Sequence, residues 1–230
     1  MRRALAILAA GSATRAGVDK VLADLGGQPV IAWSLAAALA AQCFDDIVVV
    51  APPERISAIE TIVRERAPDA RVIAGGATRT ASSWAALDAL HDADILAIHD
   101  AARPFAPPSL FARCVEIAGS DGSAVAGLPL ADTVRRADEA GAATEEVARD
   151  GLWSAQTPQA FQRHLLETAR EAAGDRSFSD DAAALSAAGL APKMVLGERR
   201  NLKITTFEDM GYARELVSKG LIGFPAMTVR

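Results

Sequence analysis

Aromatic residues are scarce in this 230-residue chain: seven Phe, three Trp and one Tyr make up 5% of it. Half of the residues are nevertheless hydrophobic, so Ala, Leu, Val and Ile must fill the core, and the length suits one α/β domain able to bury a substantial one. Cysteine is scarcer still. Cys43 and Cys114 are too few for a disulfide framework and lack metal-ligand spacing, which reads as a reduced, cytoplasmic setting. Positive charge is in deficit. A formal net charge of -5 argues against a duplex nucleic-acid binder, which needs a basic surface to displace counterions. It leaves room for an enzyme that grips phosphate with a few local cations. No apolar stretch approaches the ~20 residues that cross a membrane. The run from Ala4 to Ala10 behind Met1-Arg2-Arg3 sits at the low end of the ~7–15 residues of a signal-peptide core. It leads directly toward Arg15 and Lys20 and reads as a first strand feeding a phosphate loop. Neither the G-x-x-x-x-G-K-[ST] loop nor the G-x-G-x-x-G dinucleotide fingerprint occurs.

What the chain does have is a rhythm. Apolar strand-like runs at about 3–9, 47–51, 71–74, 95–99 and 124–130 alternate with helix-like runs at about 30–41, 56–63, 79–90 and 108–117. Continuous apolar strands spaced by helices predict a mainly parallel, twisted sheet covered on both faces. Ligands of such sheets collect beyond the carboxyl ends of the strands, where Gly11, Gly75 and Asp100 fall. The rhythm breaks between about 131 and 159. There two polar strand-like runs flank the turn-prone Asp138-Glu139-Ala140-Gly141, predicting a hairpin at about 132–158 inserted into a single domain over 1–230. Helices are expected at 163–173 and from about 179 to Gly189, a C-terminal cap. Strands are expected at 194–196 and 202–204. Thr206-x-x-Asp209 reads as a capping box opening a final helix.

Several segments carry residues suited to chemistry. Ala9-Ala10-Gly11-Ser12-Ala13-Thr14-Arg15, with Lys20 beyond, combines small residues that let backbone amides approach a triphosphate with two cations that offset its charge. The plainer reading is a small-residue turn with solvated cations. In His99-Asp100-Ala101-Ala102-Arg103-Pro104, at the end of an apolar strand, the Asp100 carboxylate suits Mg²⁺, which takes oxygen ligands and substrate phosphates. It suits a turn cap paired with Arg103 equally well. His99 reads as a packed strand-end histidine with no catalytic role. The segment from Gly151 to Phe161 reads as a turn with a packed Trp153, and Lys203 is a lone lysine among apolar neighbours.

Taken in order, these pieces resemble the methylerythritol phosphate cytidylyltransferases of the non-mevalonate isoprenoid pathway. The likeness runs from about Leu5 to Asp209. It rests on the Ala-Ala-Gly loop with Arg15 and Lys20, Gly75-Gly76-x-x-Arg79-x-x-Ser82, His99-Asp100-Ala101-Ala102-Arg103-Pro104, Asp132-Thr133, Arg149-x-Gly151-Leu152-Trp153, Thr157-Pro158-Gln159 and Asn201-Leu202-Lys203-Ile204-Thr205. The resemblance implies a Rossmann-like nucleotidyltransferase fold and a Mg²⁺-dependent transfer of CMP from CTP to a small sugar-alcohol phosphate. It implies that Ala9, Ala10, Gly11, Ser12, Ala13, Gly75, Gly76 and Ser82 bind CTP and that Arg15, Lys20 and Lys203 are the catalytic cations. Asp100 would hold the metal. Asp100, Arg103, Thr133, Arg149 and Thr157 would address the acceptor, together with Lys203. It also implies a homodimer in which the β-arm completes the partner's site.

Ala13, Asp19, Val21 and Ala77 depart from the family pattern, and the segment from Thr14 to Lys20 is closer to the molybdenum-cofactor nucleotidyltransferases. Alternatives are therefore a related enzyme acting on ribitol phosphate or a cofactor precursor, and a catalytically silent nucleotide-binding protein.

Overall fold

The computed structural model describes residues 1–10 and 19–225. The chain opens on β1 (Arg3–Leu8), then a small hairpin of β2 (Asp24–Leu25) and β3 (Gln28–Pro29), and α1 (Val30–Ala40). β4 (Asp46–Ala51), a 3-10 turn at Pro53–Arg55, α2 (Ile56–Arg66), β5 (Arg71–Ala74), α3 (Arg79–Ala89) and β6 (Ile95–Asp100) follow. α4 (Pro108–Asp121) and β7 (Ser123–Pro129) lead to a hairpin of β8 (Val134–Ala137) and β9 (Ala143–Val147). β10 (Trp153–Gln162), α5 (Arg163–Ala173), α6 (Asp181–Ala187), β11 (Met194–Leu196) and α7 (Phe207–Ser218) complete the order.

The main sheet has seven strands in the order β11-β7-β10-β6-β1-β4-β5. Its pairings are parallel except those of β10, which runs antiparallel to both β6 and β7. This is the mainly parallel, helix-flanked sheet that the sequence rhythm predicts. Strand periodicity sorts the core into two layers. Leu5, Ile7 and Val49 face one side with Leu35, Ile59, Phe111 and Val115 from α1, α2 and α4. Ala4, Ala6, Val48, Val50 and Ile98 face the other with Leu87, Leu166 and Leu185 from α3, α5 and α6. A third cluster of Trp33, Phe105, Ile204, Met210 and Ala213 packs α7 against the start of α1.

Helix starts follow local chemistry. Pro29 and Pro107, both extended, precede α1 and α4, and Pro108 occupies the first turn of α4, where a missing N–H costs nothing. Thr78 caps α3 and Asp180 caps α6. Thr206 and Asp209 form the anticipated capping box of α7. α6 ends at Ala187, and Gly189 lies just beyond it with φ of +77°, a left-handed position that favours glycine.

Two elements differ from the sequence expectation. The inserted hairpin is confined to β8 and β9, while Trp153–Gln162 is a ten-residue strand in the middle of the main sheet. Its pairing with β7 breaks between Ala155 and Gln159, where Gln156, Thr157 and Pro158 interrupt the apolar alternation. A proline cannot donate to a ladder, so it is accommodated at the irregularity. Residues 202–204 form no strand. Ile204 is buried and its N–H bonds to the carbonyl of Ala102, so the segment crosses a loop instead of extending a sheet edge.

Candidate active site

The site is built at the carboxyl end of β6. Ala101 N–H bonds to the Leu8 carbonyl, and Ala9 N–H to that of Val50, so the exits of β1, β4 and β6 are tied together. Gly75 continues β5 with its N–H on the Ala51 carbonyl. A Cβ there would lie 2.9 Å from the Ala10 Cβ and 2.8 Å from the Ser82 Oγ, so only glycine lets these exits meet. The Ser82 hydroxyl is buried; it donates to the Thr78 carbonyl (2.9 Å) and accepts from Gly76 N–H (3.2 Å). It therefore shapes the loop at 76–78 from within. Gly11, Ser12, Ala13 and Arg15 lie outside the described residues. Lys20 is half-buried at their far end. Of its neighbours, Asp19 pairs with Arg55 at 2.8 Å, and Val21 is buried in the core.

Asp100 is the centre of charge. Lys203 Nζ donates to its Oδ2 at 2.6 Å, Arg79 Nε to its Oδ1 at 3.4 Å, and Arg103 Nε stands 4.0 Å from Oδ2. Burial alone would raise the Asp100 carboxyl, but the charges of Arg79, Lys203 and Arg103 outweigh it and hold the group well below the usual carboxylate range. Asp100 is thus an ionised oxygen donor. Arg79 is shared with a second carboxylate, since its Nη2 lies 2.8 Å from Asp181 Oδ2. Asp180 also bears on Arg79, so three cations and three carboxylates meet here.

The irregularity in β10 aims its side chains into this centre. Thr157 Oγ1 accepts from Asp100 N–H at 3.0 Å and contacts His99 Nδ1 at 3.1 Å, while His99 Nε2 lies 3.2 Å from the Arg103 carbonyl. A carbonyl only accepts, so Nε2 carries the proton and Nδ1 accepts from the threonine hydroxyl. Burial lowers the His99 pKa to about 4, the nearby Asp100 opposing it only in part. The imidazole is a neutral strut, in keeping with the packed role read from sequence.

Asn201 anchors the loop carrying Lys203. Its Nδ2 donates to Gln156 Oε1 and the Thr157 carbonyl, and its own carbonyl accepts from Arg103 Nη1 at 2.8 Å. Gln159 Nε2 donates to Asp180 Oδ2 at 2.8 Å, and its Oε1 accepts from Ala182 N–H, docking the start of α6 on β10.

The structure thus gathers Gly75, Gly76, Ser82, Asp100, Arg103, Thr157 and Lys203 around the exits of β1, β5 and β6, with Ala9 and Ala10 beside them. Thr133 and Arg149 stand apart, exposed at the base of the hairpin. Arg149 bonds to the Ala131 carbonyl, and among the described residues no hydrogen bond or ion pair joins either to the Asp100 cluster. Sequence reading assigned nothing to Asp181 and only a motif position to Arg79. Ser179-Asp180-Asp181 preceding an alanine-rich run signals a helix cap, without revealing which aspartate caps and which turns inward. Among the described residues no three His, Cys, Asp or Glu side chains gather as a metal cage. Asp100 is ionised and suits Mg²⁺, which is commonly held by one or two carboxylates plus substrate phosphates, although Lys203 and Arg79 engage its two oxygens here.

The family described as 2-C-methyl-D-erythritol 4-phosphate cytidylyltransferase matches residues 4–219. The chain is 39% identical over 225 residues to the protein of that name from Microcystis aeruginosa, covering 94% of this chain and 99% of the relative. It is 43% identical over 221 residues to the bifunctional enzyme IspD/IspF of Anaeromyxobacter sp. (strain Fw109-5), covering 94% of this chain but spanning only 57% of that longer relative. In structure it is similar to the 4-diphosphocytidyl-2C-methyl-D-erythritol synthase of Anaerococcus prevotii, with a TM-score of 0.82 and 26% identity over 94% of this chain and 98% of that one.

Proposed function

This chain belongs to the 2-C-methyl-D-erythritol 4-phosphate cytidylyltransferase family, and we propose that it performs the reaction of that name in isoprenoid precursor synthesis. CMP passes from CTP to the acceptor's phosphate, giving CDP-methylerythritol and pyrophosphate. The observation that carries this reading is the cation cluster around Asp100, placed where the exits of β1, β5 and β6 converge.

The chemistry asks for no covalent nucleophile. A phosphate monoester, with a second pKa of ~6, is already anionic at neutral pH. Its oxygen attacks the α-phosphorus of CTP in line and forms a new P–O bond. The bond from that phosphorus to the bridging oxygen breaks, and its electron pair leaves with pyrophosphate. Charge builds on the equatorial and leaving oxygens, so fixed cations are the principal catalysts. Lys20 and Arg15 would grip the triphosphate, with Ala9, Ala10, Gly11, Ser12, Ala13 and the Gly75-Gly76 turn around the nucleotide. Ser82 would act through that turn. Lys203 and Arg103 would orient the acceptor phosphate from the other side, and Thr157, its hydroxyl engaged by Asp100 N–H and His99, would act through them. Asp100 would hold Mg²⁺, which when bound neutralises phosphate oxygens and draws charge from the leaving group. Thr133 and Arg149 would reach the acceptor of a second subunit, because the exposed hairpin carries them away from their own Asp100.

Among the described residues no helix is long and apolar enough to cross a membrane. The test is pyrophosphate release from CTP and methylerythritol phosphate with Mg²⁺. Release that needs both substrates and stops on chelation is expected. Equal turnover of ribitol phosphate, or of GTP in place of CTP, would move the chain to a related transferase.

A further inference from the structure

Arg79 is held by a compromise. Its Nε reaches Asp100 Oδ1 at 3.4 Å and its Nη2 reaches Asp181 Oδ2 at 2.8 Å. The shorter contact is held chiefly by charge, for among the described residues neither Nη2 nor Oδ2 has a partner in good hydrogen-bond geometry. Asp181 is 2% exposed. Among the described residues Arg79 is the one cation paired with it, and removing one member of such a buried pair strands the other's charge. Its neighbour Asp180 already caps α6 through Oδ1 and is locked by Gln159 through Oδ2. Asp181 stands in the first turn of α6, where the helix dipole favours a carboxylate, yet its side chain turns inward onto Arg79 and leaves the capping to Asp180.

We propose that Asp181 is a positioning residue that divides the charge of Arg79 and so sets how far Asp100 is neutralised. With Asp181 in place, the guanidinium stands off from Asp100 on a long single contact. The carboxylate then remains a donor for a divalent ion bound with the nucleotide. Without it, Asp180 keeps only a part of the hold on Arg79, and more of that charge bears on Asp100, which already carries Lys203 at 2.6 Å and Arg103 at 4.0 Å. The inference rests on reading Asp100 as the metal-holding group. It makes α6, through its docking on β10 by Gln159, part of the metal site without supplying a ligand.

The measurement is Mn²⁺ binding in the presence of CTP and the absence of acceptor, followed by water-proton relaxation, alongside the Mg²⁺ concentration giving half-maximal pyrophosphate release. Asp181→Asn should weaken Mn²⁺ binding about threefold to tenfold and raise the Mg²⁺ midpoint in parallel. Arg79→Gln should shift Mn²⁺ binding the opposite way, since it relieves Asp100 of a cation. In the Arg79→Gln background the Asp181→Asn effect should vanish, as residues acting through one another are not additive. Asp181→Glu, which restores the charge, should recover most of the wild-type affinity. Unchanged Mn²⁺ binding in a folded Asp181→Asn protein would overturn the proposal, as would a shift that persists without Arg79. Should Asp181→Asn not fold, the sign of the Arg79→Gln shift decides, and weaker or equal binding there overturns it. Because Mn²⁺ binding needs no turnover, a chain that binds the Mn²⁺–CTP pair yet releases no pyrophosphate would defeat the functional reading and leave this one standing.

Discussion

His99 and Asp100 are neighbours in sequence, both buried, and their titrations act on stability in separate windows. Burial takes the imidazole from 6.5 down to about 4. Between those values the unfolded chain binds a proton that the folded one refuses, so stability is full above pH 6.5 and is lost as pH falls toward 4. A shift of that size corresponds to about 3 kcal/mol. Asp100, held below its ordinary 3.8 by its cations against the effect of burial, contributes stability present above that value and lost only at lower pH. Urea titrations between pH 7 and 4 should show this slope in the wild type and little of it in His99→Gln, whose amide keeps both hydrogen bonds without titrating. A parallel decline in the two proteins would show that other groups set the slope. Lys203, bonded to Asp100 and facing the reacting phosphates in the proposed mechanism, belongs to the same scale. Losing one such preorganised contact typically costs ~10²–10³ in rate. Lys203→Ala should therefore lose that much turnover at saturating substrate with its fold intact by circular dichroism. Near-wild-type turnover would remove Lys203 from the mechanism.

At the scale of elements, β10 does most to assemble the site. Running antiparallel between β6 and β7, it extends past the carboxyl end of β6, and its irregularity turns Gln156 and Thr157 toward the loops. Thr157→Val keeps the shape but leaves the Asp100 N–H and His99 Nδ1 without partners. Each buried unsatisfied group costs ~1–3 kcal/mol, so the urea midpoint should fall clearly and turnover with it. A midpoint equal to wild type would mean that water or a shifted loop replaces the hydroxyl. β10 was also where sequence reading fell short. Ser154-Ala155-Gln156-Thr157-Pro158-Gln159 has neither apolar alternation nor an apolar run, because its side chains serve two neighbouring loops instead of one sheet face. Strands β1, β4 and β6, buried on both faces, were legible for the opposite reason: their apolar runs answer to nothing but the two core layers.

At the scale of the whole molecule, the β8–β9 hairpin is the element least supported by its own chain. It is exposed along nearly its whole length, and its cross-strand pairs Arg135–Glu146 and Arg136–Glu145 lie in water, where such pairs contribute at most ~1 kcal/mol. A lone two-stranded hairpin is marginal, and packing against a second copy about a two-fold axis would support it. Sedimentation should then show a dimer. Mixing Arg149→Ala with Lys20→Ala chains should restore activity to at most about half a dimer's, because hybrid dimers carry one site with both lesions and one with neither. No recovery despite demonstrated subunit exchange would place Arg149 in its own chain's site or in none.

The sequence by itself determined the layered α/β fold, most helix boundaries, the hairpin and the candidate residues Gly75, Asp100, Arg103, Thr157 and Lys203. Each of these is written locally, in periodicity, in capping chemistry, or in short motifs whose order resembles a known family. Only the tertiary structure decided that residues 153–162 complete the sheet, that residues 202–204 cross a loop, that Ser82 works from inside its turn, and that Asp181 and Asp100 share Arg79. Those outcomes depend on charges and hydrogen-bond donors from distant segments meeting in one small volume. A carboxylate's partner is fixed by distance in space, and spacing along the chain carries no record of it.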